Sequence, residues 1–371
     1  MSPIPEIDEQ SLTELFLWLV QHNAPSGQEA GLAALLAERL AGLGFTVSTD
    51  NAGATFGGNS GNVIGYRPGR GGRHFLFMAH MDTVAPTVDI RPSVQDGVVV
   101  TDGRTILGAD DRAGIAAVLA GVAAWGQSQP GDLTVVFSVG EEVGLYGAKA
   151  LDVPRLGAAL GFVLDAGAAP GTIVVQAPYE EELDITVYGK AAHAGVEPER
   201  GINAIQVAAR ALSAVPMGRL DSATTANAGL IKGGVATNIV PDRVEIRAEI
   251  RSQRFDRLQE ELSRWQTIFA QTASEAGARV EISHTLDYQG FTLDPSHPAV
   301  QLAARAASRV GLAPVFQSRG GGSDTNILNA RGLPAVNLGV GVVGEHTHDE
   351  HIKIADLAAT ARWVAAIMAE A

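Results

Sequence analysis

The sequence contains a series of apolar segments, each of which ends in a side chain able to bind a metal ion. Histidine or carboxylate residues follow the apolar run in "FLFMAHMDTV", "ILGADDRAG", "LTVVFSVGEEVG", "GFVLDAG" and "GEHTHDEH". In an open α/β sheet the carboxyl ends of neighbouring strands face one crevice, so residues far apart in sequence can meet there. One strand that ends in aspartate is ordinary turn chemistry, but the repeated pattern predicts a shared site.

The residue types at these ends predict a centre with two metal ions. Neutral imidazole and ionised carboxylate are ligands that zinc and similar ions accept, and two ions ~3.5–4 Å apart can activate one water. Such a pair needs a bridging carboxylate and a further carboxylate as base. Taken singly, a Glu-Glu pair is more often a solvated helix start, and a His-x-Asp a hydrogen-bonded strand end. The candidates are His80, Asp82, Asp110, Asp111, Glu141, Glu142, Asp165 and His346.

The order of helical and extended segments predicts an α/β protein. Helices are expected near residues 9–22 and 28–43, followed by strands at "FTVST", "NVIGY", "HFLFMAH", "LTVVFSV" and "ALGFVLD". This alternation favours a mainly parallel, doubly wound sheet with helices on both faces. A length of 371 residues indicates two domains, one of them with a large core.

The pattern changes near Tyr179. From there the segments follow a β-α-β-β-α-β order, which is the order of a ferredoxin-like α+β unit. The first pattern then resumes with "HPAVQLAARAASRVG" and "PAVNLGVG". We therefore predict a main domain formed by residues 1–179 and 293–371, with an inserted domain at residues 180–292.

Composition excludes several classes of function. The formal net charge of -14 repels phosphate backbones and anionic lipids, and no run of basic residues offsets it. The absence of cysteine excludes disulfides, thiol catalysis and cysteine-bound zinc. The N-terminal segment carries acids where a secretory signal needs positive charge, and no segment reaches the ~20 apolar residues that span a bilayer. We expect no nucleic-acid or membrane partner and a cytoplasmic location.

The blocks resemble the peptidase T, glutamate carboxypeptidase and aminoacylase family of di-zinc hydrolases. "GADDRAG" and "GEEVGLYGAK" are most similar to the peptidase T-like branch, and "GKAAHAGVEPERGINAI", "ATNIVPDRVEIRAEIRS" and "SRGGGSDTNIL" follow in the expected order. The resemblance implies one metal on His80 and Asp165, another on Glu142 and His346, and Asp110 as the bridge. It also implies Glu141 as general base, with Asp82 orienting the imidazole of His80.

Two assignments have alternatives within their own segments. The family pattern places the last ligand four residues before a glutamate, here Glu350, which favours His346 over His348 or His351. Asp111 could replace Asp110 as the bridge. The family match favours the first aspartate of the pair, and Asp111 then begins the helix that follows.

The resemblance also implies functional residues in or beside the inserted domain, which it identifies as a lid and dimerisation domain. His193 would reach the active site of the partner subunit in a homodimer and stabilise an oxyanion, although its loop alone suggests a surface histidine. Asn238 would contact the substrate, or else begin a turn. Arg319 would bind a substrate carboxylate through its planar guanidinium. The three glycines after it lack the lysine of a phosphate-binding loop.

These observations favour a metal-dependent exopeptidase that cleaves short peptides and binds two divalent ions per chain. Zinc is the expected metal, although carboxylate-rich sites also accept cobalt and manganese. An amidohydrolase that removes an acyl group from an amino acid would use the same catalytic residues. A non-catalytic metal-binding scaffold of the same fold is the third possibility, and the complete set of ligands and base argues against it.

Overall fold

Two separate hydrophobic cores organise the chain. The computed structural model describes residues 3–85 and 87–371. One compact unit consists of Met1–Val175, Thr292–Ser318 and Ser323–Ala371, and the other consists of Gln176–Phe291 and Arg319–Gly322. Each unit has its own cluster of buried apolar side chains.

The helices and strands alternate along the chain as follows. The α-helices are α1 (Glu9–Val20), α2 (Ala30–Gly42), α3 (Ala109–Trp125), α4 (Tyr146–Ala150), α5 (Ala204–Ala214), α6 (Phe255–Glu275), α7 (Pro298–Arg309), α8 (Asp324–Ala330) and α9 (Ile354–Met368). The strands are β1 (Thr46–Thr49), β2 (Val63–Arg67), β3 (Gly72–His80), β4 (Ser93–Gln95), β5 (Val98–Val100), β6 (Gly131–Ser138), β7 (Leu160–Ala166), β8 (Thr172–Ala177), β9 (Tyr179–Tyr188), β10 (Gly218–Arg219), β11 (Thr224–Gly233), β12 (Arg243–Ser252), β13 (Arg279–Tyr288), β14 (Phe291–Thr292), β15 (Val315–Ser318), β16 (Ala335–Gly339), β17 (Val342–Val343) and β18 (His351–Lys353).

The central sheet of the first unit has the strand order β1-β2-β6-β3-β7-β16-β8-β14. Its four middle strands, β6, β3, β7 and β16, run parallel to one another, whereas β2 and β8 on either side of them are antiparallel. Strand β3 is buried from Phe75 to His80, as expected for a parallel strand covered on both faces. The parallel arrangement brings the carboxyl ends of β3, β6 and β7 to one edge of the sheet, where the predicted ligands lie.

Helix α3 packs in the first core and is buried on nearly every side, as its apolar sequence requires. Small residues allow the close approach of α9. A Cβ added to Gly121 would lie 2.7 Å from Cγ1 of Val364, closer than real contacts allow. Glycine is therefore needed where these two helices meet.

The second unit contains a five-stranded antiparallel sheet in the order β10-β11-β12-β9-β13. Residues of β12 alternate between exposed and buried positions, and helix α6 covers the buried face with Leu258, Leu262, Trp265 and Phe269 at helical spacing. The predicted α/β class and the ferredoxin-like order of the second unit are confirmed. The small sheet β17-β18-β5-β4 of the first unit was not predicted.

None of the helices within residues 3–85 and 87–371 has both the length and the apolar character needed to cross a bilayer.

Candidate metal centre

The carboxylate of Asp110 lies between two imidazoles. Its Oδ1 is 3.1 Å from Nε2 of His80, and its Oδ2 is 3.2 Å from Nε2 of His346. The two histidines come from different elements: His80 ends β3, and His346 lies on the loop between β17 and β18. A carboxylate that presents one oxygen to each side has the arrangement of a bridging ligand between two cations.

Two more carboxylates extend this arrangement in opposite directions. Oδ1 of Asp165, on β7, lies 3.7 Å from Nε2 of His80. Oε2 of Glu142, in the loop that follows β6, lies 2.9 Å from Nε2 of His346. The structure thus groups His80 with Asp165 at one end, and His346 with Glu142 at the other.

The donor set fits a pair of divalent ions. Ligand atoms of His80, Asp110 and Glu142 lie within 4.8 Å of one another. The second oxygen of Glu142, Oε1, is buried and has no hydrogen-bond partner among the described residues. A buried carboxylate oxygen without a donor is costly unless a cation neutralises it, so the site is chemically incomplete without metal.

The other aspartate of the pair, Asp111, has a different environment. A ligand atom of Asp111 also lies within 4.8 Å of His80 and Asp165. However, its Oδ1 accepts the backbone N–H of Gly114 at 3.0 Å, and its Oδ2 accepts that of His80 at 3.3 Å. The three-residue spacing to Gly114 is that of a helix N-cap. Asp110 and Asp111, joined by a cis peptide, both have non-helical dihedral angles, so the regular helix starts after them.

Asp82 contacts His80 mainly through its backbone. Nδ1 of His80 lies 2.9 Å from the backbone oxygen of Asp82, whereas the carboxylate Oδ1 is 3.6 Å away. That carboxylate instead accepts the backbone N–H groups of Glu141 at 3.0 Å and Glu142 at 3.2 Å, and the hydroxyl of Ser26 at 2.7 Å. Asp82 therefore fixes the position of both glutamates, a function that the sequence did not indicate.

The surroundings shift the pKa of the carboxyl groups of the site in different directions. Burial raises the pKa of Glu141 well above its ordinary range, and the charge of Asp165 raises it further. Burial also raises the pKa of Asp165. Burial would raise the pKa of Asp110 too, but hydrogen bonds with His346 and His80 hold it below its ordinary value. The bridging position thus favours an ionised carboxylate, while the environment of Glu141 favours a carboxyl that can take up a proton.

The two histidines respond to these carboxylates. Burial would lower the pKa of His80, but the hydrogen bond with Asp110 and the nearby carboxylate of Asp82 hold it well above its ordinary value. The hydrogen bond with Asp110, followed by that with Glu142, raises the pKa of His346 to about 10. Both shifts reflect an excess of negative charge, which is the condition that attracts cations.

His346 is the histidine of its segment that reaches the cluster. Its contacts with Asp110 and Glu142 are those given above, and its backbone has a positive φ of 63°. His348 is exposed, and Nδ1 of His351 lies 2.8 Å from the backbone oxygen of Asp349. The structure brings His346, and neither of its two alternatives, into contact with these carboxylates.

Known proteins with similar sequences and structures identify the family. A family model described as Peptidase family M20/M25/M40 matches residues 76–370. The chain belongs to this family. It is 39% identical over 368 residues to the uncharacterized protein YqjE of Bacillus subtilis, covering 98% of this chain and 99% of that one.

Two solved structures are similar to this M20-family chain over their full lengths. The aminopeptidase PepT of Bacillus cereus has a TM-score of 0.89 and 40% identity, covering 98% of this chain and 99% of that one. A tripeptidase of Staphylococcus aureus has a TM-score of 0.93 and 38% identity, covering 98% of both chains. The predicted resemblance to the peptidase T-like branch is thereby confirmed.

Polar residues that the sequence analysis missed support the M20 centre. The carboxylate of Glu29 accepts the backbone N–H groups of Gly27 at 2.9 Å and Gly140 at 3.1 Å. Asp324 accepts the hydroxyl of Ser138, the last residue of β6, at 2.5 Å, and burial raises the pKa of Asp324 to about 6. The string "PSGQE" places Glu29 close to a turn, but no spacing rule links it to a strand end.

The second unit of this M20 protein holds the remaining predicted site residues, His193, Asn238 and Arg319. His193 and Asn238 are both exposed, and their segments pair: the N–H of Ala194 donates to the backbone oxygen of Asn238 at 3.0 Å. The N–H of Gly195 donates to Nδ1 of His193 at 3.2 Å, so the neutral ring carries its hydrogen on Nε2. The ring is thus prepared to donate a hydrogen bond outward.

Arg319 lies in a short segment that packs within the second unit. Its backbone N–H donates to the oxygen of Gln176 at 2.9 Å, and its backbone oxygen accepts the side-chain amide of Gln253 at 3.3 Å. A Cβ on Gly322 would meet Cζ of Tyr288 at 2.3 Å. The segment Arg319–Gly322 is therefore closely fitted against its unit.

Proposed function

We propose that this protein is a zinc-dependent exopeptidase that cleaves short peptides. The chain is an M20 peptidase, and a metal-dependent peptide hydrolase is the activity that its family and neighbours support. The observation that carries the proposal is the Asp110 carboxylate, which faces His80 with one oxygen and His346 with the other. The similar solved chains are an aminopeptidase and a tripeptidase, which supports short peptides as substrates.

The proposed ligands follow the grouping at the two ends of Asp110. His80 and Asp165 would hold one ion, His346 and Glu142 the other, and Asp110 both. Imidazole and carboxylate donors without sulfur suit zinc, cobalt or manganese, and we propose zinc. When bound, such ions would polarise the scissile carbonyl and lower the pKa of the water between them.

Glu141 is the proposed general base. The carboxylate of Asp82 fixes its backbone, and its carboxyl group is close enough to Asp165 and His80 for their charges to shift its pKa. Its pKa is raised by burial, which strengthens its affinity for a proton. Glu141 accepts a proton from the attacking water, holds it, and then delivers it to the amine nitrogen of the leaving group.

Asp82 is the proposed positioning residue of the centre. Its backbone oxygen contacts Nδ1 of His80, which leaves Nε2 directed at Asp110. Its carboxylate fixes the backbone of Glu141 and Glu142. One residue thus orients a ligand from β3 and the two glutamates that follow β6.

We further propose that the second unit is a lid and dimerisation domain, and that the enzyme is a homodimer. Strand β11 pairs with β12 on one side and with the two residues of β10 on the other, so most of its outer edge has no strand partner within residues 3–85 and 87–371. Leu230 and Ile231 on β11 are 61% and 58% exposed. An exposed apolar edge of this kind favours pairing with a second copy. His193 would then donate Nε2–H to an oxyanion in the partner's site.

Arg319 and Asn238 are the proposed substrate contacts of the second unit. The close fit of the segment Arg319–Gly322 fixes the backbone from which the guanidinium projects, which suits recognition of a carboxylate. Asn238 presents a side-chain amide from an exposed position next to the His193 segment.

A cytoplasmic location remains a prediction from the cysteine-free sequence.

A substrate panel tests the proposed activity. Zinc-loaded protein is incubated with di- and tripeptides and with N-acyl amino acids, and the products are identified by mass spectrometry, with Glu141→Gln as the inactive control. We expect release of one terminal residue from peptides. Turnover of acyl amino acids alone would identify a deacylase, and no turnover of any substrate would favour the non-catalytic scaffold.

A further inference from the structure

Glu350 contacts the backbone of the proposed bridging residue, Asp110, and that of Gly108, two residues before it. Its Oε1 accepts the N–H of Asp110 at 2.9 Å, and its Oε2 accepts the N–H of Gly108 at 2.6 Å. The side chain is buried, with the whole residue only 2% exposed. Both oxygens of one carboxylate are therefore used to fix the turn that presents Asp110.

The same residue ends the loop that carries His346. Its own N–H donates to the backbone oxygen of Thr347 at 3.2 Å, and the N–H of Thr347 donates to the oxygen of Gly344 at 3.2 Å. The chain from His346 to Glu350 is thus short and internally hydrogen-bonded. Both ends of this segment contact the same residue: His346 contacts the carboxylate of Asp110, and Glu350 contacts its backbone.

We propose that Glu350 is a positioning residue that couples the His346 end of the metal centre to Asp110. This inference rests on the proposed metal centre and extends it. The other end needs no such link, because His80 and Asp165 project from adjacent strands of one sheet. His346 lies on a loop, so its distance from the bridge depends on the contact that Glu350 makes.

The geometry requires a carboxylate of this length. Glutamine offers one acceptor oxygen, and its amide nitrogen would face the second N–H, so one of the two hydrogen bonds would be lost. Aspartate is one methylene shorter and cannot span both N–H groups from the same backbone position. Substitutions at Glu350 should therefore loosen the His346 end while leaving the fold and the other end in place.

The test measures metal affinity at each end. Wild type, Glu350→Gln, Glu350→Asp and the control Asp349→Asn are stripped of metal and titrated with zinc against a chromophoric chelator. Asp349→Asn makes the same chemical change on an adjacent, exposed residue of the loop. Circular dichroism checks the fold of each variant, and peptide hydrolysis is measured across zinc concentrations.

We expect wild type and Asp349→Asn to bind two ions with similar affinities. In Glu350→Gln one ion should bind as in wild type and the other about 10–100-fold more weakly, the usual effect of losing a partner behind a ligand. Activity of Glu350→Gln should recover at high zinc with the KM for peptide unchanged. If this variant fails to fold, Glu350→Asp carries the comparison.

The proposed coupling would be overturned if Glu350→Gln bound both zinc ions with the wild-type affinities. It would also be overturned if the folded variant lost affinity equally at both ends of the centre. The outcome is separable from the proposed activity. Wild type that binds two ions but cleaves no peptide would reject the exopeptidase while leaving the metal titration, and hence the test of Glu350, intact.

Discussion

The metal centre of the first unit and the His193 segment of the second unit present their side chains in opposite ways. The proposed ligands of the centre lie at strand ends or on anchored loops, and buried carboxylates such as Asp82 and Glu350 fix the surrounding backbone. His193 and Asn238 are exposed on paired loops. The residues of the metal centre all belong to one unit and contact one another, whereas His193 and Asn238 are exposed to solvent.

This difference shows that the region around Asp110 is the more preorganised of the two. Burying several carboxylates together is unfavourable unless cations or donors compensate them, so the clustering at Asp110 indicates a function rather than a contribution to stability. The His193 loop is exposed and therefore has no comparable cost of burying charged groups. Its proposed function depends on contact with a partner, which makes the two regions separable by experiment.

The largest expected effect comes from Glu141. Glu141→Gln removes the proposed base but none of the proposed ligands, so turnover should fall about 10³-fold while both ions remain bound. Glu142→Gln should lose metal as well, because Glu142 contacts His346 and has a buried oxygen without a donor. Metal analysis of the two purified variants distinguishes them. Equal metal loss in both would mean that the doublet is assigned wrongly.

The next effect tests whether the exposed loop acts on another chain. His193→Ala should keep its metal and fold but lose about 10²-fold in turnover, the usual cost of one oxyanion donor. Mixing His193→Ala with Glu141→Gln chains should restore activity, because one site of the mixed dimer would then combine intact halves. Mass spectrometry must verify the mixed dimer. Verified mixed dimers without recovered activity would reject a contribution from the partner.

A smaller effect concerns the segment of Arg319. Gly322→Ala places a methyl group against the ring of Tyr288, so the segment must shift, and we expect the KM for peptides to rise about tenfold with little change in metal content. Gly320→Ala is the matched control, since a Cβ there meets no atom within 4 Å. An unchanged KM in a folded Gly322→Ala enzyme would argue against Arg319 as a substrate contact.

The smallest effect concerns a histidine of the first unit outside the centre. Burial lowers the pKa of His74, whose Nε2 lies 2.8 Å from the hydroxyl of Thr134. Protonation is then easier in the unfolded chain, so the stability contributed by neutral His74 is present above about pH 6.5 and lost as the pH falls. The Tm of the metal-free wild type should fall slightly relative to His74→Gln between pH 7.5 and 5.5. A constant Tm difference would contradict this.

Much of the clustering of the proposed ligands could be predicted from the sequence, because most of them lie where apolar strands end. The rule that parallel strands end at one edge of a sheet predicted that His80 and Asp165 lie in the same crevice, and the family resemblance implied that they share one ion. The same reasoning could not reveal that the Asp82 carboxylate holds the glutamate backbone. It also could not reveal that Glu350 reaches Asp110, because side chains 240 residues apart in sequence leave no periodic signal. The short strands β4, β5, β17 and β18 were missed for a related reason, since two or three residues carry too little pattern to predict.

The most direct test of the account is a titration of the metal-free enzyme with zinc, in which bound metal and peptide hydrolysis are measured on the same samples. If Asp110 bridges two ions, activity should rise until about two equivalents are bound, and chelation should abolish it. Full activity with a single bound ion per chain would contradict the bridging function of Asp110 and, with it, the proposed mechanism.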